Sequence, residues 1–249
     1  NHLSNHVLKA INYDLKNTVF SFIPNTAEVA FYGLLKGMED YLNKIKVQRI
    51  TSWGKDYDEE KLAEMINRRI RVEKIANKDV KMRTFITEDV SRNELVQHVY
   101  DITYGSIRKK DDTVVVIDDS IVRGTTSREI VQMGREAGAN KIYFASAAPP
   151  VRFPNVYGID MPTRQELIAT DRSTDEICQE IGADYLVFQD LDALKLAVSK
   201  ALPKVDRFET SCFDGVYLTR DVTAEYLKRI ELQRACPPLT RSHSNTQLD

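Results

Sequence analysis

Cysteine is scarce in this 249-residue chain: Cys178, Cys212 and Cys236 are the only three, scattered and never spaced as C-x-x-C. Such a set builds no disulfide framework and fits a reducing compartment, the cytoplasm. It also falls short of the four thiolates that hold an iron–sulfur cluster. The four histidines, His2, His6, His98 and His243, show no metal-ligand pattern and read as surface or packing residues. No apolar run is long enough to span a bilayer, and no signal-peptide pattern opens the chain. An excess of one charge is missing too. Lys and Arg total 35 against 37 Asp and Glu, a net charge of −2, so no nucleic-acid footprint is visible. No internal repeat is evident. The length suits one large α/β domain, alone or with an appendage, and affords an ample core. The chain opens at Asn1 within a helical pattern, and we expect it to be a piece of a longer protein.

What is present is concentrated between Val114 and Ser127, V-V-V-I-D-D-S-I-V-R-G-T-T-S. The β-branched run Val114 to Ile117 reads as a strand buried on both faces, as in a parallel sheet. It ends on Asp118 and Asp119. A small polar loop, Ser120 to Thr125, follows with Arg123 and Gly124, and Thr126 to Glu129 has the spacing of a capping box opening a helix. Ligands of open parallel sheets sit beyond the carboxyl ends of the strands. A Gly/Thr loop ahead of a helix N-terminus offers backbone N–H groups, hydroxyls and the positive end of the dipole to a phosphate. Two adjacent carboxylates can grip vicinal hydroxyls or organise Mg²⁺. The same pair could merely cap a turn, since Asp and Ser favour turns. The ligand implied is a phosphorylated sugar.

Val115 to Ser127 resembles the phosphoribosyl-pyrophosphate (PRPP) motif of the type I phosphoribosyltransferases. A second string, S-A-A-P-P-V-R-F-P-N-V-Y-G-I-D-M-P-T-R-Q-E-L-I-A from Ser146 to Ala169, is similar to the transferase domain of the glutamine PRPP amidotransferases. The likeness resumes over Phe208 to Thr219 and is also close at Val19 to Ala30. The resemblance implies a type I phosphoribosyltransferase fold: an open, mostly parallel sheet flanked by helices. We expect that domain to span residues 1–202, a small appendage packed on it residues 203–236, and a disordered tail residues 237–249.

Along the chain, helical spacing covers Asn1 to Asp14, and Thr18 to Ile23 reads as a strand. It runs into Pro24-Asn25-Thr26 and an apolar helix from about Ala27 to Leu42, a second strand–loop–helix unit. Thr26 is an ordinary N-cap candidate; the resemblance adds the pyrophosphate loop and a contact with Mg²⁺. Val47 to Thr51 is a candidate strand. A charged helix is expected from Asp58 to about Ala76, with Arg68, Arg69 and Arg71 as a solvated face or an anion site. Residues 77–89 sit where the family has a mobile lid. Arg83 to Phe85 match it, whereas Lys81-Met82 stand in place of an expected glycine, leaving Lys78 and Lys81 both open as the phosphate-facing lysine. A capping box at Ser91 begins a helix to about Thr103, and Arg108 to Asp112 is a charged turn. Thr126 to Ala137 reads as a helix stopped by Gly138, and Lys141 to Ala147 as a strand. Thr163 and Ser173 each open a short helix. Tyr185 to Phe188 reads as a strand, Leu191 to Ala201 as a helix, and Phe213 to Leu218 as a small β element.

The resemblance implies displacement of pyrophosphate from PRPP by ammonia. Asp118 and Asp119 would be catalytic, and Asp118 to Ser120, Arg123, Gly124, Thr125, Thr126, Ser127 and Thr26 would bind PRPP. Thr26, Asp118 and Asp119 would attend the Mg²⁺. It further implies a homo-oligomer, purine nucleotides as feedback inhibitors, and ammonia supplied by a glutaminase half that has no counterpart here. Two rival classes are a phosphoribosyltransferase with another acceptor and a non-catalytic PRPP-binding regulator.

Overall fold

The computed structural model describes residues 2–24, 26–54, 57–74, 76–78, 100–102, 107–159, 161, 163–205 and 207–235. Five strands make an all-parallel sheet in the order β2 (Arg71–Val72), β1 (Thr18–Phe22), β5 (Thr113–Asp118), β6 (Lys141–Ser146), β7 (Tyr185–Phe188). A separate antiparallel pair joins β3 (Ala76–Lys78) to β4 (Tyr100–Ile102). β5 lies at the centre, with Val114 opposite Val19 and Ile142.

Alternation along the strands divides the core in two. Val19, Val114, Val116, Ile142, Phe144 and Leu186 face one side, where they meet Ile130 and Val131 of α4 (Thr125–Glu136) and Ile177 and Ile181 of α5 (Thr174–Ile181). Phe20, Phe22, Val115, Ile117 and Ala145 face the other, against α1 (His2–Ala10) and α2 (Glu28–Trp53) through Val7, Leu8, Phe31, Leu34, Met38 and Leu42. Covering both faces is why the central strands read as unbroken apolar runs.

α6 (Leu191–Ala201) has the bounds expected, with Asp190 as N-cap on Ala193. Elsewhere the structure corrects local readings. Val47 to Thr51 is not a strand but the far part of α2, whose buried residues end at Leu42; beyond it the helix projects from the core and Val47 is exposed. The charged helix, α3 (Glu59–Asn67), stops early. Arg68 turns extended and the chain adds β2 to the sheet edge, where Arg71 finds Asp112. Tyr100–Ile102, expected as a helix end, pairs with Ala76–Lys78 instead. The expected β element around Phe213 is a short helix, α7 (Ser211–Asp214). Thr210 donates to the Asp214 carboxylate at 2.7 Å, and Gly215 closes the turn at φ +73° against the Phe153 ring. Thr163 opens only a 3₁₀ turn, Arg164–Glu166. The expected lid beyond Lys78, most of the helix from Ser91, Lys81, Cys236 and the tail lie outside the described residues.

The segment after α6 is laid on the connection that follows β6. Arg152 and Phe153 donate their N–H groups to the Cys212 carbonyl, and the Tyr217 hydroxyl donates to the Pro154 carbonyl at 2.8 Å. The Arg164 N–H donates to Glu231 of α8 (Ala224–Ala235) at 3.0 Å. Among the described residues, no helix is long and apolar enough to cross a membrane.

Candidate active site

The carboxyl ends of β1, β5 and β6 are laced together. Ile23 donates its N–H to the Ile117 carbonyl and Ala147 donates to that of Asp118, both at 2.9 Å. Thr26 and the Asp118–Ser127 segment therefore leave the same edge of the sheet, as the sequence reading requires.

Asp118 is the last residue of β5 and is buried, while Asp119 is half-buried. Asp118 Oδ1 accepts the Asp119 N–H and Asp119 Oδ1 accepts the Ser120 N–H, each at 2.8 Å. These short-range bonds fix the carboxylates on their own backbone, the turn-forming habit of Asp. The expected capping box at Thr126 to Glu129 does not form. α4 starts one residue earlier, at Thr125, and its N-cap is Gly124 with no side-chain bond to the first turn. The opening N–H groups of a helix have no partner within it, so an uncapped start keeps its donors for an anion. Two features favour glycine at position 124. It sits at φ +80°, and a Cβ there would lie 2.3 Å from Ile168 Cδ1.

Ser120, Thr125 and Thr126 are half-buried beside this start; Ser127 is buried. Thr26 is exposed just before α2, and Ala27, not Thr26, holds the N-cap position. The Arg123 side chain is engaged by Glu166, with Nε at 3.1 Å and Nη2 at 2.9 Å from the same oxygen. Burial works to raise the Glu166 pKa, but bonds from Thr163 and Arg123 outweigh it and hold it below the usual value. Sequence spacing placed a helix opening at Thr163, whose N–H donates to Glu166 at 2.8 Å. It gave no sign of Arg123, 43 residues away.

Among the described residues no cluster of three His, Cys, Asp or Glu could hold a metal ion. Mg²⁺ at phosphate sites is commonly held by one or two carboxylates together with the substrate and water, and an adjacent Asp pair at a strand end fits that mode. The arginines expected as a cluster are dispersed, with Arg71 on Asp112 and Arg69 on the Ile66 and Arg68 carbonyls.

No family profile matches the chain. It is similar to amidophosphoribosyltransferase of Pasteurella multocida, with 61% identity over 125 residues, half of this chain and 25% of that protein. Two solved structures each cover 91% of it. One is described as the allosteric regulatory enzyme of purine biosynthesis (TM-score 0.60, 29% identity, 43% of that chain). The other is glutamine PRPP amidotransferase from B. subtilis complexed with ADP and GMP (TM-score 0.54, 28% identity, 44% of that chain). The chain spans about a quarter of the length of the curated relatives it matches. It is related to the phosphoribosyltransferase part of the amidophosphoribosyltransferases and has the type I phosphoribosyltransferase fold.

Proposed function

We propose that this chain is the phosphoribosyl-transferring part of an amidophosphoribosyltransferase, exchanging the pyrophosphate of PRPP for ammonia to give 5-phosphoribosylamine. The carrying observation is the passage from β5 through Asp118 and Asp119 to the uncapped, glycine-led start of α4. The N–H groups of that start, with the Ser120, Thr125 and Thr126 hydroxyls, suit the 5′-phosphate. Anchoring it there uses binding energy remote from the reacting carbon to position the sugar. Asp118 and Asp119 suit the ribose hydroxyls and favour positive charge developing on the ring. The loop before α2, with Thr26, suits the pyrophosphate.

The ammonia lone pair forms the C–N bond as the bond from C1 to pyrophosphate oxygen breaks, and the nitrogen then releases a proton to water. Ammonia arriving neutral needs no general base. Thr26, Asp118 and Asp119 would hold Mg²⁺, whose chemistry is to neutralise charge on the leaving pyrophosphate. We further propose cytoplasmic, homo-oligomeric operation, ammonia supplied by a glutaminase half, and purine nucleotides as feedback inhibitors. The ADP and GMP named with the B. subtilis structure support the last point.

The test is pyrophosphate release from PRPP and Mg²⁺ at mildly alkaline pH, with ammonium chloride or nucleobases as acceptor. Release that depends on ammonium and not on nucleobases is expected. Nucleobase-dependent release would make it a different transferase, and PRPP binding without turnover would make it a regulator.

A further inference from the structure

Resting on the reading that the Asp118–Ser127 segment holds PRPP, we infer that Glu166 is a positioning residue for its phosphate loop, and that Arg123 is that loop's tether and not a ligand of the phosphate. Three consecutive loop residues are each held by the turn after Thr163. The Val122 carbonyl accepts the Ile168 N–H at 2.9 Å. The Arg123 guanidinium directs Nε and Nη2 at Glu166 Oε1. Gly124 lies against Ile168 Cδ1, which occupies the space a side chain would need.

The far side of Glu166 is fixed as well. Its Oε2 accepts the Thr163 N–H at 2.8 Å and the Thr163 hydroxyl at 2.7 Å. The carboxylate therefore takes two donors on each oxygen and cannot swing away without breaking both sets. The neighbouring Arg164 N–H is in turn held by Glu231 of α8. With side chains 29% and 33% exposed, the Arg123–Glu166 pair is partly withdrawn from water, which strengthens it. A guanidinium so matched brings little net charge to a phosphate. What it supplies is a loop already in its binding shape, which lowers the entropy lost on association. The Ser146–Ala169 string thus contributes to the proposed phosphate site through Glu166 and Ile168.

The test measures PRPP binding by calorimetry with Mg²⁺, and KM and kcat for pyrophosphate release, in Glu166→Gln, Arg123→Gln and the double variant. Glutamine keeps an acceptor for Thr163 and removes only the charged partner of Arg123. A tether gives a rise in dissociation constant of roughly fivefold in each single variant, the scale of a partly exposed ion pair. The double variant is then no worse than either single one, and KM moves more than kcat. A phosphate ligand gives the opposite. Glu166→Gln would bind as well as wild type or better, and Arg123→Gln would be far weaker; either of these overturns the inference. If wild type itself fails to bind PRPP, the underlying reading falls with it. If wild type binds and Glu166→Gln is indistinguishable, only the tether is lost.

Discussion

Aspartates flank β5 at both ends, with different partners. At the start of the strand, Asp112 is fully buried and saturated. It accepts Arg71 through both oxygens at 2.6 and 2.8 Å, the Arg108 guanidinium at 2.7 and 3.0 Å, and the Arg108 N–H at 2.7 Å. Arg108 also reaches the Lys16 carbonyl and Asn17, so this carboxylate staples the starts of β1, β2 and β5. At the other end, Asp118 and Asp119 each accept the N–H of the next residue, beside a helix start with no side-chain cap. The same residue type at the two ends of one strand therefore serves stability at one edge of the sheet and, on the proposed function, ligand binding at the other, the edge where open parallel sheets place their ligands.

The largest effect that would break this contrast is on stability. Asp112→Ala strands two arginines at the sheet's base and should remove about 3–5 kcal/mol, lowering the melting temperature by about 10 °C in a thermal scan. A drop of a degree or two would mean the staple is ornamental. The complementary variant, Asp118→Asn with Asp119→Asn, should slow ammonia-dependent turnover by at least about a hundredfold while stability moves by less than about 1 kcal/mol. Equal damage to folding would erase the division of labour.

Acid sharpens the contrast further. Burial pushes the Asp112 pKa up, but the Arg71 and Arg108 bonds win and bring it down to about 2, from the usual 3.8. A carboxylate depressed in the folded state contributes stability above its unfolded pKa and loses it as pH falls through the folded value. The stability gap between wild type and Asp112→Asn in urea unfolding should therefore narrow by about 2 kcal/mol between pH 5 and pH 2. A gap unchanged over that range contradicts the assignment. The smallest effect is expected at Gly124→Ala, about 1–2 kcal/mol from the positive φ and the contact with Ile168. Its PRPP affinity should fall more steeply than its stability.

Much of this was legible in the residues. Tyr185–Phe188 and Leu191–Ala201 have the bounds that apolar runs and an Asp cap dictate, and the Asp-Asp-Ser strand end with its Gly-Thr loop stood out on local chemistry alone. Local patterns could not reveal where a helix runs past its core, as α2 does beyond Leu42. Nor could they show that the two residues Arg71 and Val72, just after α3, would peel away to extend the sheet. Arg71 looked like one of a basic cluster because its partner lies 41 residues on, and the Glu166 partner of Arg123, 43 residues on, was hidden in the same way. Charged side chains advertise an ionic role but not the partner, which only the fold supplies.

The most direct measurement is hydrogen–deuterium exchange on the chain with and without saturating PRPP and Mg²⁺. Slowed exchange in peptides spanning residues 117–128 and 22–28, with residues 107–113 unchanged, is the expected result. Protection centred on residues 107–113, or none at 117–128 while PRPP is bound, would contradict the placement of the ligand at the carboxyl edge.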